Sequence, residues 1–106
     1  MANYYIPVTN DPDQSFTCSI PLNGKNVQLK FRIRYNSKAK YWWMTISDSK
    51  GTILIDSLPL LSGGNLLEQY QYLGLGNADI INAGNKTLED PDDKTLGIDF
   101  FLMWGD

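Results

Sequence analysis

The chain has no histidine and a single cysteine, Cys18. The first absence removes the commonest general base, the usual activator of a serine or cysteine nucleophile, and the commonest metal ligand. The second excludes an internal disulfide and any cluster of cysteine metal ligands. Long apolar runs are also missing: nothing approaches the roughly 18 consecutive residues of a membrane-spanning helix. Positive charge is not in excess. The net charge is −3, which disfavours a dedicated nucleic-acid binder. The start, MANYYIPVTN, lacks a basic segment followed by an apolar one. It is therefore not expected to be a secretory signal, and formation in a cytoplasm is expected.

What is present describes one ordinary globular domain spanning residues 1–106. Hydrophobic residues make up 42% and charged residues 20%, which argues against disorder. A chain of this size buries roughly 65% of its unfolded surface and folds without metals or disulfides. Aromatics are in surplus, with three Trp, six Tyr and four Phe.

The clearest element is a hairpin. Phe16, Cys18, Ile20 and Leu22 alternate with Ser15, Thr17 and Ser19, and Asn23-Gly24 is the pair favoured in a type I′ turn. Val27, Leu29, Phe31, Ile33 and Tyr35 then alternate with Gln28, Lys30, Arg32 and Arg34. A two-residue turn sets Leu22 opposite Lys25, Ile20 opposite Val27, Cys18 opposite Leu29 and Phe16 opposite Phe31. Every inner pair is then apolar, apart from the one at the turn, and every outer pair is polar. A slip of one residue would destroy that match.

Further strands are expected over Tyr4–Val8, Tyr41–Ser47, Thr52–Leu58, Leu75–Ala83 and Leu96–Trp104. Pro7 marks the first as an edge or an end. Asp48-Ser49-Lys50-Gly51 fits a type I turn with Gly in the left-handed position. Trp42, Met44 and Ile46 oppose Tyr41 and Trp43, and Ile53 and Ile55 oppose Leu54 and Leu58, so this strand pair is apolar on both faces. Ile98–Trp104 is apolar nearly throughout and is expected to be buried on both faces. Between them Asn65 can cap a short helix, with Glu68 placed as in a capping box. Leu66, Tyr70 and Leu73 share one face of that helix, and Gly74 ends it. The expected fold is mainly β: a small antiparallel barrel or sandwich of six to seven strands with one short helix at about 65–73.

The block Leu58 to Gly76, LPLLSGGNLLEQYQYLGLG, carries a family resemblance. Tyr4-Tyr5-Ile6-Pro7, the Trp42-Trp43 strand and Gly51 precede it; Pro91 and Leu96-Gly97 follow. Within the block, Pro59, Leu60, Gly63, Leu66, Leu67, Tyr70, Tyr72, Leu73, Gly74 and Gly76 match the series. In this order the chain resembles the baseplate plug proteins of simple contractile-tailed phages, including cyanophages. The resemblance implies a virion protein of the tail baseplate that plugs or packs the central hub and tube end. It implies contact with hub, spike or tube proteins, self-association with a trimer suiting a threefold hub, and no catalytic residues.

Other constellations are weaker. Asp90, Asp92 and Asp93 follow Glu89 and form a polar turn; a calcium loop is conceivable there, but the EF-hand Gly and Glu are missing. Gly84-Asn85-Lys86-Thr87 resembles the end of a phosphate loop but lacks Gly directly before Lys and the earlier Gly. Lys30, Arg32 and Arg34 form a basic row. Of nine basic residues, seven lie between Lys25 and Lys50, and seven of twelve acids lie between Asp79 and Asp106. That segregation suits docking between subunits as well as an ordinary solvated strand. The only glutamates, Glu68 and Glu89, fall on different elements, so no acid–base pair is visible and no enzyme, cofactor or metal site is expected. Tyr41, Trp43, Tyr70, Tyr72, Leu75 and Trp104 are the candidate interface residues, since Tyr and Trp are enriched as interface anchors. The alternative is a small carbohydrate- or peptide-binding β-module with an exposed aromatic groove.

Overall fold

The computed structural model describes residues 3–22, 24–84 and 87–105. Among the described residues, seven strands form two antiparallel sheets. The large sheet has the order β2 (Asp13–Leu22), β3 (Lys25–Asn36), β4 (Tyr41–Asp48), β5 (Ile53–Pro59). The small sheet has the order β1 (Asn3–Ile6), β7 (Phe100–Gly105), β6 (Asn77–Asn82). The sheets do not close into a barrel, so the fold is a sandwich. No helix among the described residues is long and apolar enough to cross a membrane.

The hairpin register is the one the alternation demands. Leu22 faces Lys25, Ile20 faces Val27, Cys18 faces Leu29 and Phe16 faces Phe31. Asn23 lies outside the described residues. The inner row of β2 begins with a polar residue, Gln14, which is 9% exposed. Its amide accepts from Thr9 N–H and donates to the carbonyls of Thr9 and Asp11, so its burial leaves no polar group unsatisfied.

Between the sheets, Ile20, Leu29, Phe31, Ile33, Trp42, Met44 and Ile46 join Ile6, Ala78, Ile80, Leu102 and Trp104 in one core. The Phe31 and Trp104 rings meet edge-on across it at 5.6 Å. Each large side chain fully buried here contributes about 1.5–3 kcal/mol relative to exposure.

Three elements differ from the sequence pattern. In β5, Ile55 and Leu58 both point inward, although a spacing of three puts them on opposite faces of a regular strand. Met44 pairs with Leu58 and Ile46 with Ile55, so three steps on β5 oppose two on β4. This bulge, with Ser57 at φ 57°, reverses the alternation. A second register shift, between the pairs Ile46–Ile55 and Ser47–Ile53, turns Ile53 to the outer side, where it is 57% exposed. In β7, Phe100, Leu102 and Trp104 are buried, whereas Phe101 and Met103 are half-buried on the outer face and Ile98 is 61% exposed in the preceding turn. That strand is buried on one face because nothing among the described residues packs over the other.

The helix is a 3-10 segment, Glu68–Leu73, kinked at Tyr70. No capping box forms. Asn65 Oδ1 instead accepts from the N–H groups of Leu67 and Ala78, tying the segment to β6. The anchor in the core is Leu67, fully buried, while Leu66, Tyr70 and Leu73 are half-buried. Gly74 closes the segment in the left-handed conformation, as expected.

Candidate functional site

The candidate interface residues separate into two groups. Trp104 is fully buried and Leu75 nearly so; the Trp104 indole N–H donates to the Leu75 carbonyl at 2.6 Å. Both side chains are committed to the core of this chain and offer no surface. Tyr41, Trp43, Tyr70 and Tyr72 remain at the surface: the first three half-buried, Tyr72 80% exposed.

Two of these, Trp43 and Tyr70, neighbour Pro59. Trp43 pairs in register with Pro59 on β5. Pro59 in turn lines a cleft of about 260 Å³ with Leu58, Asn65, Leu66 and Tyr70. Pro59 is thus shared between the outer face of β4 and the cleft beside the kinked turn. Tyr72, two residues beyond Tyr70, points elsewhere, because positions two apart do not share a helical face.

The outer face of the large sheet is basic and aromatic. The Arg34 guanidinium sits 5.1 Å from the Trp43 ring centre, a cation–π contact. This covers one face of the ring, so Trp43 is not a bare stacking platform for a sugar. Beside it lies a groove of about 390 Å³ lined by Arg32, Arg34, Thr45, Ile53 and Asp56. Thr45 donates its hydroxyl to Asp56 at 3.0 Å. Arg32 meets Asp13 at 3.5 Å with both side chains more than half exposed, an ion pair that contributes little.

The acidic turn is a structural latch. Asp90 Oδ1 accepts from Ser62 N–H at 2.7 Å. Asp92 Oδ1 accepts from Lys94 N–H and from the Thr95 hydroxyl, and the Asp92 carbonyl accepts from the Trp42 indole at 2.6 Å. The hydrogen bond from the Lys94 backbone first, then those from Thr95 and the Lys94 charge, hold the Asp92 carboxyl below its ordinary range despite partial burial. Burial pushes the neighbouring Tyr35 hydroxyl up, and the charges of Asp93 and Asp92 add to it. Among the described residues no group of three or more His, Cys, Asp or Glu is arranged to hold a metal. Asn85 and Lys86 of the Gly84–Thr87 motif lie outside the described residues.

One surface was not anticipated. On the outer face of the small sheet, Tyr5, Met103 and Asp79 form one cross-strand row, and Phe101 and Ile81 form the next. Tyr5 is 60% exposed and contacts Phe101 edge-on at 6.2 Å. The signal was present in the Phe101/Met103 alternation. It reads as a doubly buried strand until the sheet is known to have one uncovered side.

A family model described as the cyanophage baseplate Pam3 plug gp18 matches residues 3–106. No curated protein matches the chain.

Proposed function

This chain belongs to the cyanophage baseplate plug family, and on that premise we propose that it is a structural component of a phage tail baseplate that packs the central hub at the tail-tube end. The match over residues 3–106 carries this reading. The protein acts by binding and not by catalysis. The Trp43–Pro59–Tyr70 patch, with Tyr41 on the same strand face and Tyr72 projecting from the turn, docks on neighbouring hub, spike or tube proteins. The uncovered Tyr5–Met103–Phe101 face supplies a second, apolar contact, since apolar surface of this kind on a soluble domain marks interaction sites. Self-association, with a trimer matching a threefold hub, and assembly in the host cytoplasm complete the proposal.

The test is peptide mass spectrometry of purified virions together with a cryo-EM map of the tail end. Peptides of this chain should co-purify with the tail in constant ratio to the hub. Their absence from intact particles would refute the assignment.

A further inference from the structure

Four strands have an unpaired side: β1 and β6 in the small sheet, β2 and β5 in the large one. Such an edge is a template for a foreign strand, and proteins normally blunt it. Three of the four are blunted here. β1 is four residues long and is followed by Pro7. On β6, the Ala78 N–H donates to Asn65 Oδ1 and the Ala78 carbonyl accepts from Leu66 N–H, so the preceding segment covers that edge. β5 carries the bulge, Asp56 and Pro59. The edge of β2 has none of these devices along its middle. It runs for ten residues with unbroken register, and no charged residue occurs from Gln14 to Leu22. Its proline, Pro21, stands only at the far end.

The direction of its backbone groups follows from the hairpin. Leu22 and Lys25 close a two-residue turn, and Tyr35 N–H donates to the Pro12 carbonyl at 3.0 Å. Alternation then points the amides of Gln14, Phe16, Cys18 and Ile20 toward β3, and those of Ser15, Thr17 and Ser19 away from it. Three N–H and three C=O groups therefore face outward along about 14 Å of strand.

The side chains beside this edge define what fits. Ser15 and Thr17 pair with Arg32 and Lys30 of β3. The small hydroxyls leave both cations reachable from the edge, over a shallow trough of about 330 Å³ that Ser15, Thr17, Lys30 and Arg32 help to line. On the inner side, Phe16 is only half-buried, stacked on Phe31 at 5.4 Å.

We propose that the β2 edge accepts an extended strand from another protein, one whose residues alternate acidic and apolar. Its main chain pairs with Ser15, Thr17 and Ser19. Its acidic side chains reach across the hydroxyl row to Lys30 and Arg32, and its apolar side chains cover Phe16. A second copy of β2 meets only part of this, because its outward row is Asp13, Ser15, Thr17 and Ser19, and its single acid, Asp13, stands at the end of the strand and already meets Arg32 of its own chain. That the donor is a baseplate protein rests on the functional reading above; the chemistry of the edge does not.

The test uses the full chain and two labelled probe peptides of eight residues, one alternating Val and Glu, the other Val and Lys. Binding is read by fluorescence anisotropy and by amide exchange. The Glu peptide should bind at least tenfold more tightly than the Lys peptide and slow exchange at Ser15, Thr17 and Ser19. Thr17→Pro should abolish binding with an unchanged strand spectrum, since Pro is tolerated where the N–H points off an edge. A Lys30→Glu/Arg32→Glu variant, altered only at exposed positions, should reverse the peptide preference even if Thr17→Pro misfolds. Equal binding of the two peptides, no binding of either at millimolar concentration, or protection elsewhere overturns the proposal. So does a free chain that is dimeric and becomes monomeric with Thr17→Pro, which assigns the edge to a second copy. Absence of the chain from virions refutes the plug function and leaves these peptide results standing.

Discussion

Gly97 is the residue whose identity is most tightly set by its surroundings. It lies at φ 81°, and a Cβ there would stand 2.5 Å from the Val8 carbonyl oxygen. The turn after Thr95, whose carbonyl accepts from Ile98, Asp99 and Phe100 N–H, is thereby pressed against the exit of β1. Gly97→Ala is expected to destabilise the chain by about 1–3 kcal/mol or more, read as a lower urea midpoint at unchanged m-value. Asp92 is the second such residue. Its folded carboxyl titrates below the ordinary value of 3.8, so the stability it contributes is fully present above that pH. That contribution is lost as pH falls from there through the lower folded value. Asp92→Ala should cost about 1–2 kcal/mol at neutral pH, and Asp92→Asn should flatten the acid limb of the stability profile. Unchanged acid melting of Asp92→Asn would count against the latch.

At the scale of elements, the lesson lies in β5 and the 3-10 segment. The β2–β3 pairing was legible because two independent signals agree, the alternation and the turn pair. β5 was not, because a bulge leaves no mark in an apolar pattern: ILIDSLP alternates plausibly with or without an extra residue. In the structure the bulge is marked by Ser57, which adopts φ 57° where Gly is the default. Ser57→Gly is expected to raise stability by about 0.5–1 kcal/mol through relief of that conformation, measured as a rise in the urea midpoint. Destabilisation instead would show that the Ser57 hydroxyl, which donates to Asp56, matters more than the backbone strain. The segment after Asn65 failed as an α-helix for a related reason. Its side-chain oxygen serves β6 as well as Leu67, and Leu67 has to turn inward.

For the molecule as a whole, one core joins both sheets, and function falls to what that core leaves outside. Trp104 and Leu75 are consumed by the core; Trp43, Tyr70 and Tyr72 are not. A Trp43→Ala/Tyr70→Ala variant is therefore expected to keep a cooperative melt while entering tails at one-tenth the wild-type level or less, scored by quantitative mass spectrometry of particles. Wild-type incorporation would remove this patch from the docking surface. Interface truncations of this kind cost upwards of about 2 kcal/mol when they strike a central anchor, enough to shift assembly without unfolding the subunit.

By itself the sequence determined the fold class, the hairpin register, the left-handed glycine that ends the helical segment and the family to which the chain belongs. The first three depend on local spacing, which side-chain periodicity and turn chemistry dictate directly; the family rests on the order of matching residues along the chain. Only the tertiary structure decided which aromatics are core and which are surface. It also decided which strand faces are covered, and which of the four sheet edges is left unguarded. Those outcomes depend on how two twisted sheets align and where a bulge re-aims a side chain. The same apolar residue is buried or exposed according to what stands across from it.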